Sequence, residues 1–145
     1  MTPPGHSGPL PEITLRAVGL VESPLKDLTD APRQGDEGAP EAWIAFEPAI
    51  AEAAAQIGPG DPLVILTWLD RGDREVLQVH PRSDPNRPLT GVFSTRSPDR
   101  PNPVGLHDVE VLEVDGNRIR VSGLEALDGT PVLDVKPQLG RTETR

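Results

Sequence analysis

Between Gly91 and Gly105 the chain reads Gly-Val-Phe-Ser-Thr-Arg-Ser-Pro-Asp-Arg-Pro-Asn-Pro-Val-Gly. Arg96, Arg100 and Asn102 stand here among Pro98, Pro101 and Pro103. Proline fixes φ, so side chains carried on such a segment lose little entropy when they grip a ligand. A guanidinium presents a planar fork of donors that matches carboxylates, phosphates and base edges. Twelve of the fourteen basic residues are arginine, the others being Lys26 and Lys136. Two readings are open at this level. The segment is a rigid recognition loop, or it is a proline-stiffened crossing in which Arg96 pairs with a nearby acid.

The remaining reactive side chains narrow the chemistry. With no cysteine in the chain, a thiol nucleophile, a disulfide framework and a cysteine-ligated zinc are excluded. His6, His80 and His107 lack the helical or short-loop spacing of a metal pair, so no metal site is expected. Ser94, Ser97 and Ser122 have no nucleophile-elbow context, which argues against serine hydrolysis. The net charge is −9. Between Arg82 and Pro103 four arginines face Asp84 and Asp99, giving +2 locally and −11 elsewhere. A nucleic acid would therefore meet one basic stretch on an acidic body.

The elements that must position these residues are short, because eighteen prolines and fourteen glycines punctuate 145 residues. That length suits one domain: residues 1–10 read as a disordered tail, 11–140 as the folded unit and 141–145 as a second tail. Strands are expected over Ile13–Val21, Trp43–Phe46, Leu63–Leu69 (buried on both faces), Glu75–His80, Thr90–Thr95, Val104–Val114, Arg118–Ser122 and Val132–Val135. A polar loop fills Lys26–Pro40, and Asp115-Gly116-Asn117 signals a hairpin. The expected helix is Pro48–Ile57, alanine-rich and stopped by Gly58-Pro59-Gly60. Many strands with one short helix give a mainly β fold, a small curled sheet or β-barrel. A Rossmann fold would need a glycine-rich turn within alternating βα units, and the chain has neither. The N-terminus is not a secretory signal and no apolar run approaches a membrane span, so a cytoplasmic protein is expected.

The Gly91–Gly105 segment closely resembles the signature of the TsaA-like family, tRNA threonylcarbamoyladenosine methyltransferases and their single-domain relatives. The likeness continues through Gly123-Leu124 and Leu127-Asp-Gly-Thr-Pro-Val-Leu-Asp-Val-Lys-Pro137, and upstream through Gly19–Pro24 and Pro32-Arg33-Gln34, covering about residues 13–138. The resemblance implies a β-barrel, typically homodimeric, that binds S-adenosylmethionine and methylates N6 of the modified adenosine beside the tRNA anticodon. Carried over by motif, the cofactor contacts fall on Arg33, Gln34, Asp70, Arg71, Arg96, Leu106, Leu127, Asp128, Gly129 and Thr130. Arg87, Arg100 and Asn102 are the expected contacts to a tRNA anticodon loop. Asp70-Arg71 departs from the histidine-glutamine pair of many relatives, and the chain ends at Arg145, where the best-known bacterial members continue into a second domain. Those departures keep open a methyltransferase acting on another acceptor, or a non-catalytic cofactor-binding regulator. A general base would come from Asp134, Asp128 or His107.

Overall fold

A computed structural model describes residues 5, 8–24 and 41–140. Eight strands run in chain order: β1 (Gly19–Glu22), β2 (Ala42–Phe46), β3 (Pro62–Trp68), β4 (Gln78–Val79), β5 (Thr90–Gly91), β6 (Val104–Asp115), β7 (Arg118–Ser122) and β8 (Pro131–Pro137). Six of them close a barrel in the order β1-β2-β7-β6-β3-β8, shut by the pairing of β1 with β8. The strands β4 and β5 form a separate two-stranded ribbon.

Alternation builds the core. In β2, Ala42, Ile44 and Phe46 are buried, and in β7 Ile119 and Val121 are. Together with Val21, Ile65, Val111, Leu124 and Val132 they fill the interior. The expectation of a mainly β, non-Rossmann barrel is met. Its β3 differs from the expected doubly buried strand: Leu63, Ile65 and Thr67 point inward while Val64, Leu66 and Trp68 stay partly exposed. A closed barrel has a single interior, so an apolar run need be covered on one face only.

Three other elements are shorter than their sequence suggests. Residues 13–17 are not strand, and Ile13 is 78% exposed. Strand β2 offers β1 partners only from Phe46 to Trp43, and β8 only Val132 and Pro131, so no ladder remains for the upstream residues. The expected 75–80 strand contracts to Gln78–Val79, and 90–95 to Thr90–Gly91 followed by a 3-10 turn over Val92–Ser94. The expected helix is a 3-10 helix over Pro48–Ala54, with Ile50 donating to the Glu47 carbonyl and Ala55 to Glu52. Pro48 opens the segment and Gly58-Pro59-Gly60 closes it. Ala54 and Ile57 pack on the barrel core, which fixes the segment. Asp115-Gly116-Asn117 makes the expected hairpin, with Gly116 at φ 61°.

Candidate functional site

Strand register brings the sequence motifs to one end of the barrel. Thr67 in β3 lies opposite both Gly105 of β6 and Val132 of β8, so the end of β3 meets the starts of β6 and β8. The end of β1 joins them, because Val21 donates to the Thr130 carbonyl and Gly129 donates to the Val21 carbonyl. The Ser23 amide donates to Asp128 Oδ1 at 2.9 Å, and the Thr130 hydroxyl donates to the Leu127 carbonyl at 2.7 Å. Leu127–Thr130 is thus clipped to β1, with Gly129 at φ 84°, a conformation that favours glycine.

Asp70 and Arg71 follow β3 at the same end and are both exposed. Their turn is zipped to the proline-rich segment. Leu69 donates to the Pro103 carbonyl at 2.7 Å, and the Asp73 amide to Asp99 Oδ1 at 2.9 Å. A Cβ on Gly72 would overlap the Pro98 carbonyl. Arg74 completes the seam: Nε donates to the Pro101 carbonyl, Nη2 donates to Asn102 Oδ1 at 2.9 Å, and the guanidinium stacks on Trp68. Asn102, expected as a substrate contact, therefore has its side-chain oxygen engaged by Arg74. Nothing in the type or spacing of Arg74 singled it out, since the seam depends on residues nearly thirty positions apart.

The two arginines of the signature have different tasks. Arg100 folds back on its own segment and donates to the Val92, Thr95 and Ser97 carbonyls at 2.8, 2.9 and 3.0 Å. It staples the loop, a placement at odds with a donor directed at tRNA. Arg96 is exposed and makes no ion pair among the described residues. Arg87, also exposed, lies 4.0 Å from Asp84, and its carbonyl meets His80 Nδ1 at 2.8 Å on the loop joining β4 and β5. Arg33 and Gln34 lie outside the described residues.

An open groove of about 780 Å³ runs along β6 from this end, and Arg96, Leu106, His107 and Asp108 line it with Glu110 and Glu125. Leu106 is 46% exposed and offers an apolar wall. The His107 imidazole is held well below its usual range, to about 4, by burial and by the nearby Arg96 guanidinium, with Asp108 pulling weakly the other way. It is therefore neutral at pH 7. Thr67 Oγ1, fully buried, lies 2.9 Å from His107 Nε2. Asp134, by contrast, is near Lys136 at 3.2 Å, on the wall of a separate apolar cleft beneath Ile50 and Ile57. Among the described residues no cluster of histidine and acidic groups could hold a metal ion, and no helix is long and apolar enough to cross a membrane.

The fold is a closed β-barrel, and the described residues of the sequence motifs gather where β3, β6 and β8 meet. Residues 20–143 match the family model for the tRNA-methyltransferase O N-terminal domain, and the chain belongs to that family. It is 48% identical over 126 residues to a "Probable S-adenosyl-L-methionine-binding protein" of Methanothermobacter thermautotrophicus, covering 87% of this chain and 90% of that one. Over 122 residues it is 43% identical to an S-adenosyl-L-methionine-binding protein of Archaeoglobus fulgidus, covering 84% and 86%. A further A. fulgidus relative with a name of the same kind is 45% identical over 86% of this chain, but the match spans only 34% of that relative. A crystal structure of TrmO from P. aeruginosa superposes with a TM-score of 0.72 at 25% identity, covering 94% of this chain and 61% of that one.

Proposed function

We propose that the barrel end bounded by Arg96, Leu106 and Leu127–Thr130 binds S-adenosylmethionine, and that the protein is a methyltransferase using it. The carrying observation is Arg96, an exposed guanidinium with no ion pair among the described residues, held beside an apolar wall at Leu106. The donor set fits the cofactor. A free guanidinium suits its carboxylate, Leu106 suits the adenine, and the groove's carboxylates (Asp108, Glu110 and Glu125) suit its two positive centres. Asp70, Arg71 and the 127–130 loop stand at the same end to complete the grip, and Arg33 and Gln34 belong to the set by motif. When bound, the cofactor supplies an electrophilic methyl group. What the chain must add is in-line placement of the acceptor and exclusion of water.

The favoured acceptor is N6 of threonylcarbamoyladenosine beside the tRNA anticodon, in keeping with the family model and with a cytoplasmic protein. A homodimer belongs to the same reading, because exposed Leu77, Leu89 and Phe93 on the segments leading into the signature are suited to cover by a second copy. In the assembled groove Arg96 is outnumbered by three carboxylates, which repel phosphate. That observation favours, as the second reading, a smaller uncharged or cationic acceptor. Transfer of a tritiated methyl group to tRNA with and without the threonylcarbamoyl group separates them. Labelling of the modified tRNA alone supports the first reading. Labelling of neither while cofactor binds supports the second, and equal labelling of both contradicts both readings.

A further inference from the structure

We propose that Asn102 grips the methyl acceptor, its side-chain N–H groups donating to the carbonyl oxygen next to the nitrogen that is methylated, and that Arg74 is the positioning residue that leaves those donors free. The inference rests on the methyltransferase reading above and adds to it a contact to the second substrate. A guanidinium has donors and no acceptor, so the amide atom facing Arg74 Nη2 at 2.9 Å is the Asn102 oxygen. A flipped amide would set donor against donor. The nitrogen, Nδ2, is therefore the outer atom of the amide. It has no acceptor among the described residues, and Asn102 is exposed. What remains on this side chain is a pair of N–H donors open to solvent.

Both the amide and its anchor are held still. Arg74 is fixed by Trp68, whose ring centroid lies 5.2 Å from Cζ, and by the Pro101 carbonyl, which accepts from Nε at 2.6 Å. Three consecutive carbonyls around the amide are each engaged: Pro101 by Arg74, Asn102 by the Val104 amide at 2.7 Å, and Pro103 by the Leu69 amide at 2.7 Å. Pro103 itself is buried. Donors fixed in advance lose little entropy on meeting a ligand. Their place points to the ligand. The Leu69 bond sets Asn102 beside the turn that carries Asp70 and Arg71, and the proline-rich segment joins it to Arg96, six positions earlier. Under the reading above the cofactor takes those neighbours, which leaves Asn102 for the other substrate. In threonylcarbamoyladenosine a urea carbonyl is bonded to N6, so a donor on that oxygen sets the direction of N6 toward the methyl group.

The test uses tritiated S-adenosylmethionine and tRNA carrying threonylcarbamoyladenosine. Asn102→Asp keeps an oxygen for Arg74 and replaces the N–H donors by an acceptor, whereas Asn102→Ala removes the donors without adding charge. Both should lower kcat/KM for the tRNA about tenfold or more, with the cofactor Kd from calorimetry within about threefold of wild type. Asn102→Asp should melt no lower than wild type. Its carboxylate gains a charge-assisted bond to Arg74, which pairs with no acid among the described residues. Unchanged kcat/KM in either variant overturns the proposal. So does a loss in Asn102→Asp that comes with a lower melting temperature, the mark of a structural amide. A cofactor Kd about tenfold weaker in both variants assigns Asn102 to the cofactor and overturns it too. Arg74→Ala should lower kcat/KM on its own and have no further effect in the Asn102→Ala background; additive losses overturn the positioning role. A wild-type protein that binds no cofactor overturns the reading beneath, and the proposal with it. One that binds cofactor and leaves this tRNA unlabelled overturns the acceptor and the proposal, and spares the cofactor site.

Discussion

Lowering the pH from 7 to 5 should destabilise the protein through one residue, His107. Its folded-state value lies at about 4 against an ordinary 6.5. Between those values the unfolded chain takes up a proton that the folded chain refuses, so stability is full above about pH 6.5 and falls as pH drops toward 4. At 1.36 kcal/mol per unit, the interval from 6.5 to 5 costs about 2 kcal/mol. Carboxylates add their own slope at lower pH, so the contribution of this ring is read as a difference. His107→Gln keeps a polar partner for Thr67 and removes the titration. Urea unfolding at pH 7, 6 and 5 should show the wild type losing about 2 kcal/mol more than the variant over that range. Equal losses in the two proteins would refute the claim that His107 is buried neutral beside Arg96.

Gly105→Ala should cost about 2–4 kcal/mol by overpacking and by parting Thr67 from His107, read by urea unfolding. Thr67 is fully buried and β-branched, so it cannot step aside. Arg100→Ala should loosen the 92–97 turn by withdrawing three carbonyl contacts, lowering stability by about 1–3 kcal/mol and weakening cofactor binding, because the same loop carries Arg96. Thermal unfolding and calorimetry on this variant read the two effects separately.

The barrel was legible because period-two alternation and closely spaced turns leave few other folds for a chain of this length. Element lengths were less legible, since a strand exists only where a partner stands beside it. Ile13 and Leu15 look like strand residues and have no ladder to join. The motif placed Asp70, Leu106 and the 127–130 loop, and strand register shows them at one end of the barrel. What the sequence could not separate was Arg96 from Arg100, four positions apart on one stiff segment. Only the folded loop shows that Arg100 turns back to its own carbonyls while Arg96 faces the groove. The pairing of His107 with Thr67 was equally hidden, because the two stand forty positions apart and the glycine that admits the contact looks like any other.

The cofactor site is tested most directly by titrating the purified protein and its Arg96→Ala variant with S-adenosylmethionine in a calorimeter. The wild type should bind in the micromolar range, worth roughly −7 to −8 kcal/mol. The variant should stay folded and lose about 1.5–3 kcal/mol of that affinity, the worth of one charge-assisted contact to the cofactor carboxylate. No heat from the wild type at millimolar cofactor, or an Arg96→Ala variant that binds as well as the wild type, would contradict the site.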